Sequence, residues 1–210
     1  MAYTIEDLRT QFKVISAHIN ANKDLLIELD SALGDGDLGL TMSTGFEAAV
    51  EALEADAGED LGKTLMQVGM AVNNKAPSTM GTLISSAILR AARVVKGKAE
   101  FDDQDCVEMA KAAVQGIKDR GKAERGDKTI LDSLIPAVEA LEARLQEGAS
   151  IKEALEDAAQ AAKEGFEATA EMVSQKGRGH YYGEKSRGHK DPGAAVGMLI
   201  FEALSQEANK

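Results

Sequence analysis

The sequence predicts an all-α protein, a single-domain barrel or bundle of about eight antiparallel amphipathic helices over residues 1–210. Apolar residues recur at helical spacing along most of the chain, and no run convincingly shows the period of two of a half-buried strand. Aromatic residues are only 4% of the chain and tryptophan is absent, so the core must use aliphatic residues and alanine, which favours close-packed helices. The links between periodic segments are mostly short, which favours antiparallel neighbours.

The first half of the chain carries four predicted helices. Thr4 can cap the first helix, which runs to about Asp30 and is predicted to break near Asn20. The second begins near Gly39 and continues past Leu53. The third and fourth are predicted at about residues 61–72 and 81–95.

Four more helices are predicted in the second half. The fifth spans about residues 104–118 and the sixth about 129–145, where an internal Pro136 predicts a kink. Ser150 and Glu153 form a capping-box pattern at the start of the seventh, whose apolar face is predicted to extend to Val173. The eighth is predicted to begin at an Asp-Pro pair, residues 191–192, as an N-cap followed by proline.

Composition excludes several classes of function. A net charge of −11 does not supply the basic footprint that nucleic-acid binding needs, so we expect no nucleic-acid partner. No stretch approaches the roughly 18 uncharged apolar residues of a membrane span, and the N-terminus lacks a signal-peptide pattern. Cys106 is the one cysteine, which excludes an internal disulfide and suits a reducing compartment. We therefore expect a cytoplasmic protein with no membrane partner.

An acidic, glycine-rich loop is the first candidate site. In LDSALGDGDLGLTM, three aspartates fall within eight residues: Asp30, Asp35 and Asp37. Interleaved glycines let the backbone turn so that the carboxylates can converge. Two unit charges about 4 Å apart repel by roughly 1 kcal/mol in water and about 4 kcal/mol at an effective dielectric of about 20. Converging carboxylates therefore indicate a cation between them, whereas splayed, solvated aspartates are the alternative.

Oxygen ligands suit Mg²⁺ or Ca²⁺. An EF-hand beginning at Asp35 is excluded because Gly39, Leu40 and Phe46 occupy its fifth, sixth and twelfth positions. Mg²⁺ instead takes a few carboxylates together with water and substrate phosphates. The loop leads directly into the second helix, whose first amides, from Leu38 to Thr41, form an anion site beside the metal.

Three other loops carry glycines and polar residues before a helix. The basic segment from residue 176 to 193 offers Arg178, whose planar guanidinium suits phosphate oxygens, although a solvated basic loop is the alternative. Ser78 and Thr79 can donate to a phosphate or cap the fourth helix, and capping is the commoner role. The segment RGKAERGDKT, residues 120–129, again joins glycines to a helix start.

Taken in order, LDSALGDGDLGLTM, GKAERGDKT and KGRGHYYGEKSRGHKDPGA resemble the nucleotide-binding subunit or domain of dihydroxyacetone kinases, over essentially the whole chain. The resemblance implies a barrel of eight antiparallel helices that binds ADP or ATP at one end through two Mg²⁺. It implies metal ligation by Asp30, Asp35 and Asp37. It places nucleotide contacts at Leu38, Gly39, Leu40, Thr41, Ser78, Thr79, Gly121, Ile130, Arg178, Asp191, Pro192 and Gly193.

The chain departs from the family pattern at two places. Leu38 stands where better-known members have histidine, and KAPSTMGT, residues 75–82, replaces a longer glycine-rich loop. Both differences lie beside the expected phosphates, so the phosphoryl donor and the hydroxyketone stay open, and a four-carbon ketose is one alternative.

The resemblance implies a kinase subunit that needs a substrate-binding, K-type partner subunit to hold the hydroxyketone. In this family, some members exchange ATP, whereas others keep ADP bound and are rephosphorylated by a phosphotransferase-system protein; the sequence leaves both open. A non-catalytic nucleotide-binding regulator is the alternative function, and a purely structural helical protein is a third hypothesis.

Overall fold

A computed structural model describes residues 2–56 and 59–208, and helices account for most of them. Two 3₁₀ segments, Thr169–Glu171 and Arg178–Ser186, precede the last α-helix. The α-helices in the described ranges are α1 (Ile5–Ala21), α2 (Lys23–Ser31), α3 (Leu38–Ala55), α4 (Leu61–Lys75), α5 (Thr79–Val94), α6 (Asp103–Gly121), α7 (Leu131–Gln146), α8 (Ile151–Ala168) and α9 (Pro192–Ala208). The predicted all-α class is confirmed.

Eight of these helices form a closed ring. From α3 to α9 each helix packs on the next one in the chain, and α1 closes the ring by packing on both α3 and α9. Helix α2 lies beside the ring and contacts α3 and α9. Short connections make successive helices antiparallel. Helices α3, α5, α7 and α9 therefore begin at the same end of the barrel.

Alanines and aliphatic residues fill the barrel, as the composition predicted. In α8 the buried residues Ala154, Ala158 and Ala162 repeat every four positions and form one face. Helices α7 and α8 approach so closely that a Cβ on Gly165 would lie 2.1 Å from the Asp132 carbonyl oxygen. Small residues therefore set the spacing of the helices that support the site.

Tyr3, which precedes α1, pairs with the loop before α6. Tyr3 and Phe101 form an antiparallel bridge with backbone hydrogen bonds of 2.7 and 2.9 Å, and their rings lie 5.2 Å apart. Thr4 caps α1 in a capping box with Asp7, which confirms its predicted role. None of the helices in the described part of the chain combines the length and apolar character that crossing a bilayer requires.

Several predicted boundaries shift for local reasons. The break in the first helix lies at Asn22, two residues later than predicted. Helix α7 begins at Leu131, two residues later than predicted, and the Leu131 N–H donates to the Thr129 hydroxyl at 3.2 Å. The predicted apolar face up to Val173 was too long, since α8 ends at Ala168.

Two features of the later helices were predicted from the sequence. The capping box of Ser150 and Glu153 at the start of α8 is confirmed. Helix α7 runs without interruption through Pro136, and the kink predicted there stays a prediction.

Candidate metal and phosphate site

A cavity of about 570 Å³ opens at the barrel end where α3, α5, α7 and α9 begin. A groove beside Ser78, Thr79 and Gly121 adjoins it and extends to Asn73 and Arg120. The predicted site residues that line the cavity are Asp30, Asp35, Asp37, Leu38, Ser78, Thr79, Gly121, Ile130, Arg178, Asp191, Pro192 and Gly193. Segments far apart in the sequence thus meet in one site.

Three predicted residues, Gly39, Leu40 and Thr41, are not among the residues that line this cavity. Gly39 packs against α2, where an added Cβ would lie 2.3 Å from the Lys23 carbonyl oxygen. The Leu40 side chain is 56% exposed. The Thr41 N–H donates to the Asp37 carbonyl at 3.0 Å, whereas the amides of Gly39 and Leu40 have no backbone acceptor among the described residues.

The three aspartates converge. Each offers one carboxylate oxygen, and these oxygens all lie within 4.8 Å of one another. Gly34 makes the turn possible, because a Cβ there would lie 2.2 Å from Asp30 Oδ1. Gly36 adopts φ +73°, a conformation that favours glycine. Converging hard oxygen donors fit Mg²⁺ or Ca²⁺ and do not match the alternative of splayed aspartates.

The cluster is electrostatically strained. Burial first, and then the charges of Asp35 and Asp30, raise the pKa of Asp37, while Arg178 opposes the rise. The Leu38 N–H donates to Asp30 Oδ2 at 3.3 Å, which stabilises one carboxylate. A cation among the three oxygens would relieve the remaining repulsion.

Arg178 connects the basic segment to the acidic loop by an ion pair with Asp35. The basic segment, predicted as a flexible loop, instead contains the 3₁₀ segment Arg178–Ser186, with a break at Gly183, where φ is 51°. Nδ1 of His180 lies 3.3 Å from the Ser174 carbonyl oxygen, consistent with a structural hydrogen bond. The ion pair thus places the guanidinium beside the aspartate cluster.

Asp191 caps α9 by accepting the Ala194 N–H at 2.7 Å, which confirms the predicted start of that helix. Burial raises the pKa of Asp191 to about 7. The Ala194 hydrogen bond and the Lys128 charge oppose this rise, and the Asp132 charge adds to it. A carboxyl group that titrates near neutrality therefore faces the cavity.

The starts of the other helices are packed tightly around the cavity. Ser78 caps α5 by accepting the Gly81 N–H at 3.0 Å, which is the capping role predicted for it. A Cβ on Gly193 would lie 2.8 Å from Met80 Cε and 3.2 Å from the Ile130 nitrogen. Glycine at position 193 therefore allows the starts of α5, α7 and α9 to meet.

Two parts of the cavity were not predicted from the sequence. One is an apolar wall to which Met80, Leu83 and Ile117 contribute. The other is Lys128, a lysine only 2% exposed. Lysines are rarely buried, so a lysine next to Asp127 in a loop gave no signal of burial.

Comparison with known proteins decides the family. The family model described as the DAK2 domain matches residues 32–206. The chain belongs to the DAK2 domain family. It is 35% identical over 191 residues, 91% of each chain, to the ADP-binding subunit DhaL of the PEP-dependent dihydroxyacetone kinase of Escherichia coli (strain K12).

Two longer proteins are similar to this chain over about a third of their length. The chain is 32% identical over 206 residues to the L-erythrulose kinase of Pectobacterium atrosepticum, covering 93% of this chain and 35% of that protein. The crystal structure of the native dihydroxyacetone kinase of C. freundii superposes with a TM-score of 0.74 at 23% identity. The superposition covers 96% of this chain and 34% of the C. freundii protein. This similarity supports the barrel fold.

Proposed function

We propose that this chain is the Mg²⁺-dependent, ADP- or ATP-binding subunit of a dihydroxyacetone-kinase-type phosphotransferase, with residues 1–210 acting as one domain. The observation that carries the proposal is the convergence of Asp30, Asp35 and Asp37 within 4.8 Å at the mouth of a cavity where four helices begin. Carboxylates for a cation and helix starts for an anion together fit a metal-bound di- or triphosphate.

The three aspartates would hold Mg²⁺, and two ions are proposed. Bound Mg²⁺ supplies positive charge to the phosphate oxygens during phosphoryl transfer. Arg178, which pairs with Asp35, is placed to exchange that carboxylate for a phosphate oxygen. No side chain of this chain is assigned as an acid or base, because phosphoryl transfer depends mainly on positioning and charge.

Backbone amides would hold the phosphates. The Gly39 and Leu40 amides at the start of α3 have no backbone acceptor among the described residues, so they are available to an anion. The apolar wall around Leu83 would receive the base. The remaining proposed nucleotide contacts are Leu38 and Thr41 in α3, Arg178, and residues at the cavity ends of α5, α6, α7 and α9, namely Ser78, Thr79, Gly121, Ile130, Asp191, Pro192 and Gly193.

The acceptor would be a small hydroxyketone held on a separate K-type subunit. The E. coli relative is named as a subunit of a dihydroxyacetone kinase, and the Pectobacterium relative is named for L-erythrulose. Dihydroxyacetone and a four-carbon ketose are therefore the two acceptors to test. The E. coli relative is named as PEP-dependent and a Lactococcus lactis relative as PTS-dependent, which supports a phosphotransferase-system protein as the donor that rephosphorylates bound ADP.

Calorimetric titration with ADP tests the nucleotide and metal assignments together. Wild-type protein should bind ADP in the presence of Mg²⁺ and lose at least tenfold in affinity when EDTA replaces the metal. Asp35→Asn should show the same loss in the presence of Mg²⁺. Asp157→Asn, which removes an exposed carboxylate on α8 paired with Arg144, is the matched control and should bind as wild type does. Equal affinity in Asp35→Asn and wild type would contradict the metal assignment.

Turnover separates the kinase from a nucleotide-binding regulator. Wild-type protein mixed with a K-type subunit and dihydroxyacetone or erythrulose should form the ketose phosphate from ATP, or from PEP when phosphotransferase-system proteins are supplied. If ADP stays bound during dialysis, the result would favour PEP, acting through phosphotransferase-system proteins, as the phosphoryl donor. Tight Mg²⁺-ADP binding without turnover under any of these conditions would favour the regulator.

A further inference from the structure

A buried lysine fastens the segment that carries Arg178. Lys128 Nζ donates to the carbonyl of Met172 at 3.1 Å and to the carbonyl of Ser186 at 2.6 Å. Met172 precedes the Arg178 segment, residues 173–185, and Ser186 follows it. One ammonium thus joins the two ends of the segment.

Other hydrogen bonds join the two ends of this segment, residues 172–175 and 183–186, which together form its neck. The Ser174 N–H donates to Ser186 Oγ at 2.9 Å, and this hydroxyl donates to the Gly183 carbonyl at 2.7 Å. The Gln175 N–H donates to the Asp127 carbonyl at 3.0 Å. The Ser186 carbonyl also accepts the His189 N–H at 3.4 Å, but of these bonds only those of Lys128 link Met172 directly to Ser186.

The surroundings of Lys128 disfavour a charged side chain. Lys128 is 2% exposed, and its backbone adopts φ +60°, an uncommon conformation for a residue other than glycine. Burial lowers the pKa of its ammonium, and the charge of Asp191 opposes this. Among the described residues, its hydrogen bonds go to neutral carbonyls rather than to a carboxylate. A buried ammonium that is not neutralised by a direct ion pair is unusual, and here it lines the cavity.

We propose that Lys128 is a positioning residue, which holds the Arg178 segment closed over the aspartate cluster and places a buried positive charge in the wall facing the nucleotide phosphates. The inference rests on the proposed nucleotide site, but the closure of the neck does not. Lys128 makes no hydrogen bond to the acidic loop, so its removal should spare the metal ligands.

Lys128→Met tests the proposal because it keeps the length of the side chain and removes the donor and the charge. Mg²⁺-ADP affinity, measured by calorimetry, should fall at least tenfold. Mn²⁺ binding to the aspartates without nucleotide, measured by electron paramagnetic resonance, should stay within twofold of wild type. Chymotrypsin should cut the variant faster than wild type after Tyr181, a residue that is 90% exposed. The reason is that the variant lacks the Lys128 hydrogen bonds that hold the neck closed. Lys128→Arg, which retains charge and donors, should bind Mg²⁺-ADP with an affinity between those of Lys128→Met and wild type.

Lys185→Met is the matched control, since Lys185 is an exposed residue in the same segment and does not line the cavity. It should leave Mg²⁺-ADP affinity and chymotrypsin cleavage as in wild type. Mg²⁺-ADP affinity in Lys128→Met within threefold of wild type, or an equal loss of Mn²⁺ binding, would overturn the proposal. Failure of the wild-type protein to bind Mg²⁺-ADP would instead contradict the proposed function, while the cleavage comparison would still test closure of the neck.

Discussion

At the residue scale, the site depends on charged groups whose environment differs from water. Asp191 is the clearest case, because burial raises its pKa to about 7 from an ordinary value of 3.8. Its carboxylate also caps α9, so ionisation improves a hydrogen bond to Ala194 while it places a charge in a buried position. The effect of burial on the pKa outweighs that of the hydrogen bond to Ala194, so a change in the protonation of Asp191 is expected near neutral pH.

This balance predicts a pH dependence of stability. A raised pKa means that the folded state holds the Asp191 proton more tightly than the unfolded chain does. The associated stabilisation is complete below the unfolded pKa and is lost as the pH rises to about 7, by at most about 1.4 kcal/mol for each pH unit. In Asp191→Asn the amide cannot ionise but can still cap α9.

Denaturant unfolding at pH 5, 6, 7 and 8, without nucleotide, measures this effect. The free energy of unfolding of wild type minus that of Asp191→Asn should decrease from pH 5 to about pH 7 and then level off. A difference that does not change with pH would contradict the raised pKa of Asp191.

At the element scale, the barrel depends on helices that approach closely through glycine. A Cβ on Gly165 in α8 would meet the Asp132 backbone carbonyl of α7 at 2.1 Å, and a backbone carbonyl cannot move without moving its helix. By contrast, a Cβ on Gly45 in α3 would meet the Ala76 Cβ at 3.2 Å, which is a much milder contact. The same substitution should thus have different effects at the two positions.

Gly165→Ala should lower the free energy of unfolding by about 1–3 kcal/mol, because the clash outweighs the roughly 1 kcal/mol that alanine gains over glycine in a helix. Gly45→Ala should change it by less than about 1 kcal/mol. Urea denaturation of both variants beside wild type provides the measurement. Similar stabilities for the two variants would show that α7 and α8 tolerate a wider separation.

At the scale of the whole molecule, ligand binding should stabilise the barrel. The cavity is lined by the starts of α3, α5, α7 and α9 together with residues from the acidic and basic segments. A ligand that contacts all of them binds only the folded state. At a concentration one hundred times its dissociation constant, such a ligand adds about 2.7 kcal/mol to the free energy of unfolding.

For a chain of this size, that gain should raise the melting temperature by roughly 5–11 °C when Mg²⁺ and ADP are both present. Under the same conditions Asp35→Asn should show at most about half of this rise, because a tenfold weaker affinity reduces the added free energy to about 1.4 kcal/mol. Differential scanning calorimetry, with ADP alone and Mg²⁺ alone as references, gives the comparison. An equal rise with ADP alone would indicate a nucleotide site that does not use the aspartates.

Much of the fold could be predicted because its signals are local. The capping boxes, the Asp191 N-cap and the helical periodicity each depend on residues a few positions apart. The same holds for the acidic loop, where the spacing of aspartates and glycines indicated that the carboxylates converge. Errors occurred where a local signal was ambiguous, as at Thr129, which was predicted to begin α7 but precedes its first residue, Leu131.

What the sequence determined by itself was the set of helices, the family motifs and the three candidate metal ligands. Only the tertiary structure decided that the ring closes between α1 and α9, which places Ser78, Ile130 and Gly193 around one cavity with the aspartates. It also decided that Lys128 is buried and bonded to Met172 and Ser186. The physical reason is that helix formation and capping depend on near neighbours in the chain, whereas burial depends on contacts between segments that are far apart in it.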